Sequence, residues 1–346
     1  MADTTFTCLG MSGAGKTCYI LGLYDDMCIG RNGFLITAAN DAATKLERWM
    51  DVLDDGTGME RFPTGTPLHD FIKYTFNLSH HRDDILSFDW FDYGGGTLRA
   101  REENPEIFKY LNSSIEISTA LYIFVDGELL CDSNKERRIR NVQRKCARTI
   151  NQYIKNYSDM HKDSDLPPVI FVITKMDLCR KYINEEEMRQ ILKDSFSSVF
   201  GEGITSYIVP VSLGKNISDD NYSGEVDPIN IHIPIFIGIY HQFLNICRVI
   251  SNKIENANKN LSNEIDVTKS ARDKEKKKIW IFKNKDRIKN LEKNIQLKTS
   301  DIESNNNLLK QYNKLLKEVG DELLKNNSRF NTFVDGRRQD FRTETI

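Results

Sequence analysis

The sequence predicts an α/β fold, a mostly parallel sheet covered by helices, followed by an antiparallel helical hairpin. Three observations carry that expectation. Short apolar runs alternate with polar stretches of helical length through residues 1–250. Near residue 250 the composition turns to Lys, Asn, Glu and Leu, and proline is absent beyond it. In that last part apolar residues recur at helical spacing along two long runs. The expected boundaries are a core over 1–250 with an insertion at 30–67, a coiled-coil hairpin over 251–326, and a polar tail over 327–346.

The elements follow in order. Thr4 to Leu9 is short and partly β-branched, ends at Gly10, and precedes an apolar helical run from Tyr19 to Leu23. The insertion offers one amphipathic helix, about Ala42 to Leu53, with Leu46, Trp49, Met50 and Leu53 facing inward. Phe71 to Leu78 alternates, His80 to Asp84 turns, and Ile85 to Phe91 returns, so an antiparallel hairpin is expected. Ala120 to Val125, Val169 to Thr174 and Tyr207 to Val211 read as buried strands, separated by polar helical stretches around 134–157 and 183–199. Ile229 to Leu244 is the most apolar stretch, but His232, Pro234 and His241 interrupt it, which favours a buried last helix of the core over a membrane span.

Net charge is −2, so no whole-protein attraction to nucleic acid or membrane is expected, and nucleic acid is not an expected partner. The seven cysteines are odd in number, scattered and without CxxC spacing, as befits reduced thiols in a cytoplasmic protein. The N-terminus lacks the charged and apolar regions of a signal peptide.

Four segments carry chemistry. Gly10-Met11-Ser12-Gly13-Ala14-Gly15-Lys16-Thr17, with Cys18 following, matches GxxxxGK[ST] between a strand and a helix. Glycines there let backbone N–H groups turn toward phosphates at a helix N-terminus, with Lys16 on the β- and γ-phosphates and Thr17 on Mg²⁺. Asp92, Tyr93, Gly94 and Gly95 give D-x-x-G after the second hairpin strand; the Asp92 carboxylate suits Mg²⁺ and the Gly95 amide a γ-phosphate. Thr174-Lys175-Met176-Asp177 follows an apolar strand, and the Asp177 carboxylate can accept from the ring N–H and exocyclic amine of guanine, a donor pair that adenine lacks. Ser212-Leu213-Gly214-Lys215 follows the last strand and is placed to brace that loop and offer an amide to the base.

In this order the four segments resemble those of Ras-like P-loop GTPases, over roughly residues 4 to 250. The resemblance implies a six-stranded Rossmann-like G domain, GTP and GDP as ligands, Mg²⁺, and two switch loops. The insertion before a Pro-Thr-rich loop looks more specifically like bacterial GTPases of multi-GTPase conflict systems. Three departures from the family pattern matter. Thr174 stands where Asn is commonest; Gly96 stands where Ras-type enzymes place the glutamine that orients water, which implies slow unaided hydrolysis; and Thr64 and Thr66 both qualify as the switch I threonine and metal ligand, with Thr66 preferred. Arg61 lies three residues before Thr64, the spacing by which heterotrimeric G-protein α subunits carry an arginine finger in cis; the alternative is an exposed loop arginine.

In the last third, one helical run uses Ile246, Val249, Ile250, Ile254, Ala257, Leu261 and Ile265; another uses Ile288, Leu291, Ile295, Leu308, Leu309, Tyr312, Leu315, Leu316 and Val319. Two amphipathic helices folded on each other imply a stalk for a protein partner or a second copy. Between them, residues 272–287 set Trp280 and Phe282 among lysines. That stretch either docks on an anionic membrane surface or acidic partner, or closes the hairpin by local packing. The rivals to a switch are a self-assembling dynamin-type GTPase, a non-hydrolysing nucleotide-bound scaffold, and an ATPase or kinase.

Overall fold

The computed structural model describes residues 4–64, 71–98, 105–160, 166–217, 224–277 and 285–344. Nine strands form one sheet: β1 Thr4–Gly10, β2 Phe34–Ala38, β3 Phe71–His80, β4 Asp83–Tyr93, β5 Ala120–Val125, β6 Val169–Ile173, β7 Thr205–Pro210, β8 Asn331–Val334 and β9 Arg337–Gln339. Their spatial order is β2-β3-β4-β1-β5-β6-β7-β8-β9. The six strands the sequence predicts, β3 to β7 with β1, lie in the middle. β4, β1, β5, β6 and β7 run parallel, and β3 pairs antiparallel with β4.

The helices are α1 Lys16–Cys28, α2 Asn40–Asp55, α3 Pro105–Glu116, α4 Lys135–Val142, α5 Arg148–Met160, α6 Met176–Cys179, α7 Glu185–Ser195, α8 His232–Lys276 and α9 Lys285–Lys325. Central parallel strands are covered on both faces, so β1, β5 and β6 are buried at every position, and β5 and β6 read as unbroken apolar runs rather than alternating ones. One face packs Leu121, Ile123, Val125 and Phe171 with Ile150, Ile154, Ile191 and Leu192 of α5 and α7. The other is aromatic: Tyr19 of α1 stacks on Trp90 at 5.5 Å between ring centroids, and Trp90 meets Tyr122 at 4.8 Å.

By contact the chain divides into two compact units, residues 1–241 with 322–342, and residues 242–321 with 343–346. Within the first, the start of α8 is a core helix. The whole of α8 contains a stretch apolar and long enough to cross a bilayer by length and composition, yet at its start Ile233, Ile235, Ile237 and Ile239 are wholly buried among protein. In α2, Leu46, Met50 and Leu53 are buried as expected, while Trp49 is half-buried under the Lys45 ammonium, 4.6 Å from the ring centroid.

Two parts of the first unit correct the sequence expectation. The insertion contributes β2, which pairs antiparallel with β3 and extends one edge of the sheet. Residues 327–346, expected as a polar tail, contribute β8 and β9 at the other edge, β8 pairing antiparallel with β7. Phe330, Phe333 and Phe341 are each buried; Phe333 sits edge-on to Phe200 at 5.2 Å and Phe341 edge-on to Tyr240 at 5.2 Å. The β8–β9 turn is Asp335-Gly336, both at positive φ (51° and 69°), the pair a two-residue hairpin demands.

In the second unit the two long helices run antiparallel. Asn258 bonds Asn306 at 3.1 Å, Lys298 pairs with Glu264, and Lys276 with Glu292 at 2.6 Å, so partner numbers fall along α9 as they rise along α8. Ile288, Leu291, Ile295, Ile302, Leu309, Leu316 and Val319 follow the 3–4 spacing of a coiled-coil seam, and none of them is exposed. Val249 and Leu308, counted on the inner faces from sequence, are 44% and 43% exposed, because their neighbours Ile250 and Leu309 take the seam. Trp280 and Phe282 lie outside the described residues.

Candidate functional site

β1 delivers the chain to Gly10 and α1 begins at Lys16, so residues 10–17 wrap the N-terminus of a helix. Gly13 and Gly15 sit at φ 79° and 78°, left-handed backbone that costs a side-chain-bearing residue roughly 1–2 kcal/mol. A Cβ on Gly13 would meet nothing within 4 Å. That open side belongs to a cavity of about 340 Å³ lined by Ser12, Gly13, Ala14, Gly15, Lys16, Thr17 and Cys18 of this loop.

Lys16 is buried, and its Nζ donates to the carbonyls of Gly10 at 2.9 Å and Met11 at 3.3 Å. Burial lowers its pKa, opposed by the charge of Asp92. Thr17 Oγ1 donates to Asp92 Oδ2 at 2.8 Å. Asp92 is fully buried near the end of β4, beside β1. A hydroxyl and a carboxylate held together at the mouth of a phosphate-binding loop are hard oxygen ligands of the kind Mg²⁺ takes. The turn that follows closes on the loop: a Cβ on Gly95 would stand 2.1 Å from the Ser12 nitrogen and 2.2 Å from the Met11 carbonyl carbon. The structure therefore brings Lys16, Thr17, Asp92 and Gly95 to one place.

On the opposite wall, Thr174 Oγ1 donates to the carbonyls of Ala14 at 3.1 Å and Val125 at 3.3 Å, tying β6 to the phosphate loop. This is a reason for a small hydroxyl residue at a position where the resemblance leads one to expect Asn. Lys175 ion-pairs with Asp126 at 3.1 Å and Glu128 at 2.6 Å; burial pulls its pKa down, but these two carboxylates outweigh it and the net shift is upward. Asp177 accepts from Ser212 Oγ at 2.9 Å, and Ser212 and Leu213 line the cavity. Cys18 completes the lining as a neutral thiol, its pKa pushed up to about 12 chiefly by burial.

Arg61 is placed elsewhere. It is neither exposed nor among the residues lining the cavity. Its guanidinium donates to the carbonyls of Leu53 at 2.7 Å, Gly224 at 2.7 Å and Asp54 at 3.4 Å. This clamp fixes the segment whose Met59, Phe62 and Pro63 form a cavity wall. Arg61→Ala is therefore expected to lower stability by on the order of 2–3 kcal/mol, because buried carbonyls lose charged donors. Single-turnover hydrolysis should change far less than the ~10³-fold expected of an arginine finger. Thermal melting and rapid-quench hydrolysis on the same variant check both parts. Thr64 is exposed beyond this wall, and Thr66 lies outside the described residues.

Sequence reasoning missed Met59, Phe62, Pro63, Glu128 and Ile231, which also line the cavity. For Glu128 a signal existed: Asp126-Gly127-Glu128 breaks the chain at the carboxyl end of a buried parallel strand, where open α/β sheets bind ligands. The insertion wall and Ile231 carried none.

Residues 5–217 match the model of a protein family described as Double-GTPase 2. The match runs from β1 past Ser212 and so contains all four motif segments. None of the curated proteins compared with the chain matches it.

Proposed function

Because the chain belongs to the Double-GTPase 2 family, a family of GTP-binding and GTP-hydrolysing domains, we propose that it is a Mg²⁺-dependent molecular switch, slow without a partner. It would work in the cytoplasm, in a bacterial multi-component conflict system, and signal its nucleotide state to a protein partner through the coiled coil. The observation that carries the nucleotide part of this reading is the convergence of Lys16, the Thr17–Asp92 pair and Ser212, with Asp177 bound to it, on one cavity.

Lys16 would leave its loop carbonyls for the β- and γ-phosphates. Thr17 and Asp92 would hold Mg²⁺, which neutralises phosphate charge when bound. The Gly95 amide would meet the γ-phosphate, and Asp177, oriented by Ser212, would accept from guanine. Gly96 supplies no side chain to orient water, which supports slow unaided hydrolysis and keeps a nucleotide-bound scaffold as the second reading. For readout, α8 begins at His232, directly after the cavity residue Ile231, and continues unbroken to Lys276. The seven free cysteines are consistent with a reducing compartment.

The test is competition of GTP, GDP and ATP with Mg²⁺ against a fluorescent guanine nucleotide, on wild type and Asp177→Ala, followed by single-turnover hydrolysis. GTP and GDP should displace the probe and ATP should not. The substitution should weaken guanine nucleotides about 100-fold or more, since two hydrogen bonds to a charged acceptor are lost. Equal displacement by ATP would falsify the guanine assignment. GTP retained intact over many hours would favour the scaffold, and hydrolysis rising steeply with protein concentration would favour self-assembly.

A further inference from the structure

A second cleft lies in the first unit. It has a volume of about 380 Å³ and is lined by Arg31, Arg180, Arg329 and His232 with the turn Pro228 to Asn230. No acidic residue lines it. Arg31 pairs with Asp26 at 2.6 Å, and Asp26 also stands 3.4 Å from His232 Nδ1. Among the described residues, Arg180 and Arg329 form no ion pair, and both are exposed. His232 is 3% exposed, and its Nε2 has no hydrogen-bond partner; neither has Arg31 Nε. A buried ring nitrogen without a partner is costly, and the Asp26 carboxylate faces the ring's other nitrogen rather than this one. His232 is also the first residue of α8, so the helix dipole adds positive potential at the same spot.

We propose that this cleft binds a small phosphate-bearing anion, and that its occupancy slows release of the guanine nucleotide. Three guanidinium groups present donors and the N-terminus of α8 adds positive potential, an arrangement that suits a phosphate-type oxyanion. The volume exceeds one phosphate and accommodates a diphosphate.

The link to the nucleotide is built into the backbone. Ile229, which lines the cleft, exchanges two main-chain hydrogen bonds with Ser212, at 2.8 and 3.2 Å, and Ser212 holds Asp177. Arg180 follows directly on the short helix that carries Asp177. An anion drawing Arg180 toward the Pro228–Asn230 turn stiffens both strands of the base-recognition loop.

The experiment uses full-length protein loaded with Mg²⁺ and GDP, so that the phosphate loop is already filled. Calorimetry with inorganic pyrophosphate measures binding, and release of a fluorescent GDP analogue with and without pyrophosphate measures coupling. One equivalent should bind, and release should slow several-fold. Arg180→Ala and Arg329→Ala, both at exposed positions that leave the core untouched, should each weaken binding at least tenfold and abolish the slowing at the same pyrophosphate concentration. Repeating the titration with ADP identifies the source: tighter binding than pyrophosphate points to nucleotide phosphates, weaker binding to a free polyphosphate. No binding heat, unchanged release, or slowing that survives both substitutions overturns the proposal. The release arm rests on guanine-nucleotide binding; a protein that never loads GDP is recognised at the loading step, and the arginine dependence of pyrophosphate binding still decides the site.

Discussion

Gly95→Ala is expected to cut guanine-nucleotide affinity at least 100-fold. A methyl group on Gly95 would stand 2.1 Å from the Ser12 nitrogen and 2.2 Å from the Met11 carbonyl carbon, and both are backbone atoms that cannot swing aside. Relief requires the Asp92–Gly95 turn and the phosphate loop to part by an ångström or more, and a displacement of that size in a charged, preorganised site costs about 100-fold. The separation also stretches the Thr17–Asp92 contact on which the metal would rest. Gly201→Ala is the matched control, since a Cβ there meets nothing within 4 Å and the backbone is not left-handed. Titration of a fluorescent GTP analogue into both variants, with circular dichroism to verify folding, gives the answer. Near-normal binding by Gly95→Ala would remove the D-x-x-G turn from the site.

Phe333→Ala is expected to destabilise the protein by about 3–5 kcal/mol, the range for emptying a buried aromatic position. Phe333 is 2% exposed, meets Phe200 edge-on, and carries the Lys193 ammonium 5.7 Å from its ring centroid. A loss of that size is a large fraction of the 5–15 kcal/mol that holds a typical domain together, and should lower the melting temperature by roughly 10 °C. Arg337→Ala, at an exposed position of β9 in the same hairpin, should change it by under ~0.5 kcal/mol. Thermal melts of the two variants side by side separate a structural strand pair from a dispensable tail. Equal melting temperatures would mean that β8 and β9 contribute nothing to the sheet.

Much of this architecture is legible in the sequence because its signals are local. The alternation of Phe71 to Leu78, the apolar runs of β5 and β6, and the strand-loop-helix setting of Gly10 to Thr17 each declare themselves within about ten residues. The antiparallel hairpin is announced by apolar spacing along α8 and α9, although Val249 and Leu308 fall outside its seam. The edges of the sheet were harder to read. β2 is a five-residue strand inside a long connection, and it exists because β3 offers an open edge. β8 carried one local sign, Asp335-Gly336 between Val334 and Arg337, set in a stretch too charged to look like a strand.

The site divides in the same way. Lys16, Thr17, Asp92, Asp177 and Ser212 are marked by motifs, because phosphate, metal and base chemistry each demand a particular residue type at a particular turn. Arg61 shows the opposite case. Its spacing from Thr64 is that of a catalytic residue, while its guanidinium spans carbonyls from α2 and from Gly224, residues far apart in the chain.

The sequence by itself determined the six central strands, the phosphate loop, the base-recognition segment and the two amphipathic helices of the hairpin, since periodicity and motif chemistry act over short stretches of chain. Only the tertiary structure decided that the tail completes the sheet, that the insertion walls the cavity, that Arg61 is a clamp, and that Arg31, Arg180, Arg329 and His232 share a cleft. Each of those depends on residues 100 or more positions apart meeting in space, and no local pattern encodes such a meeting.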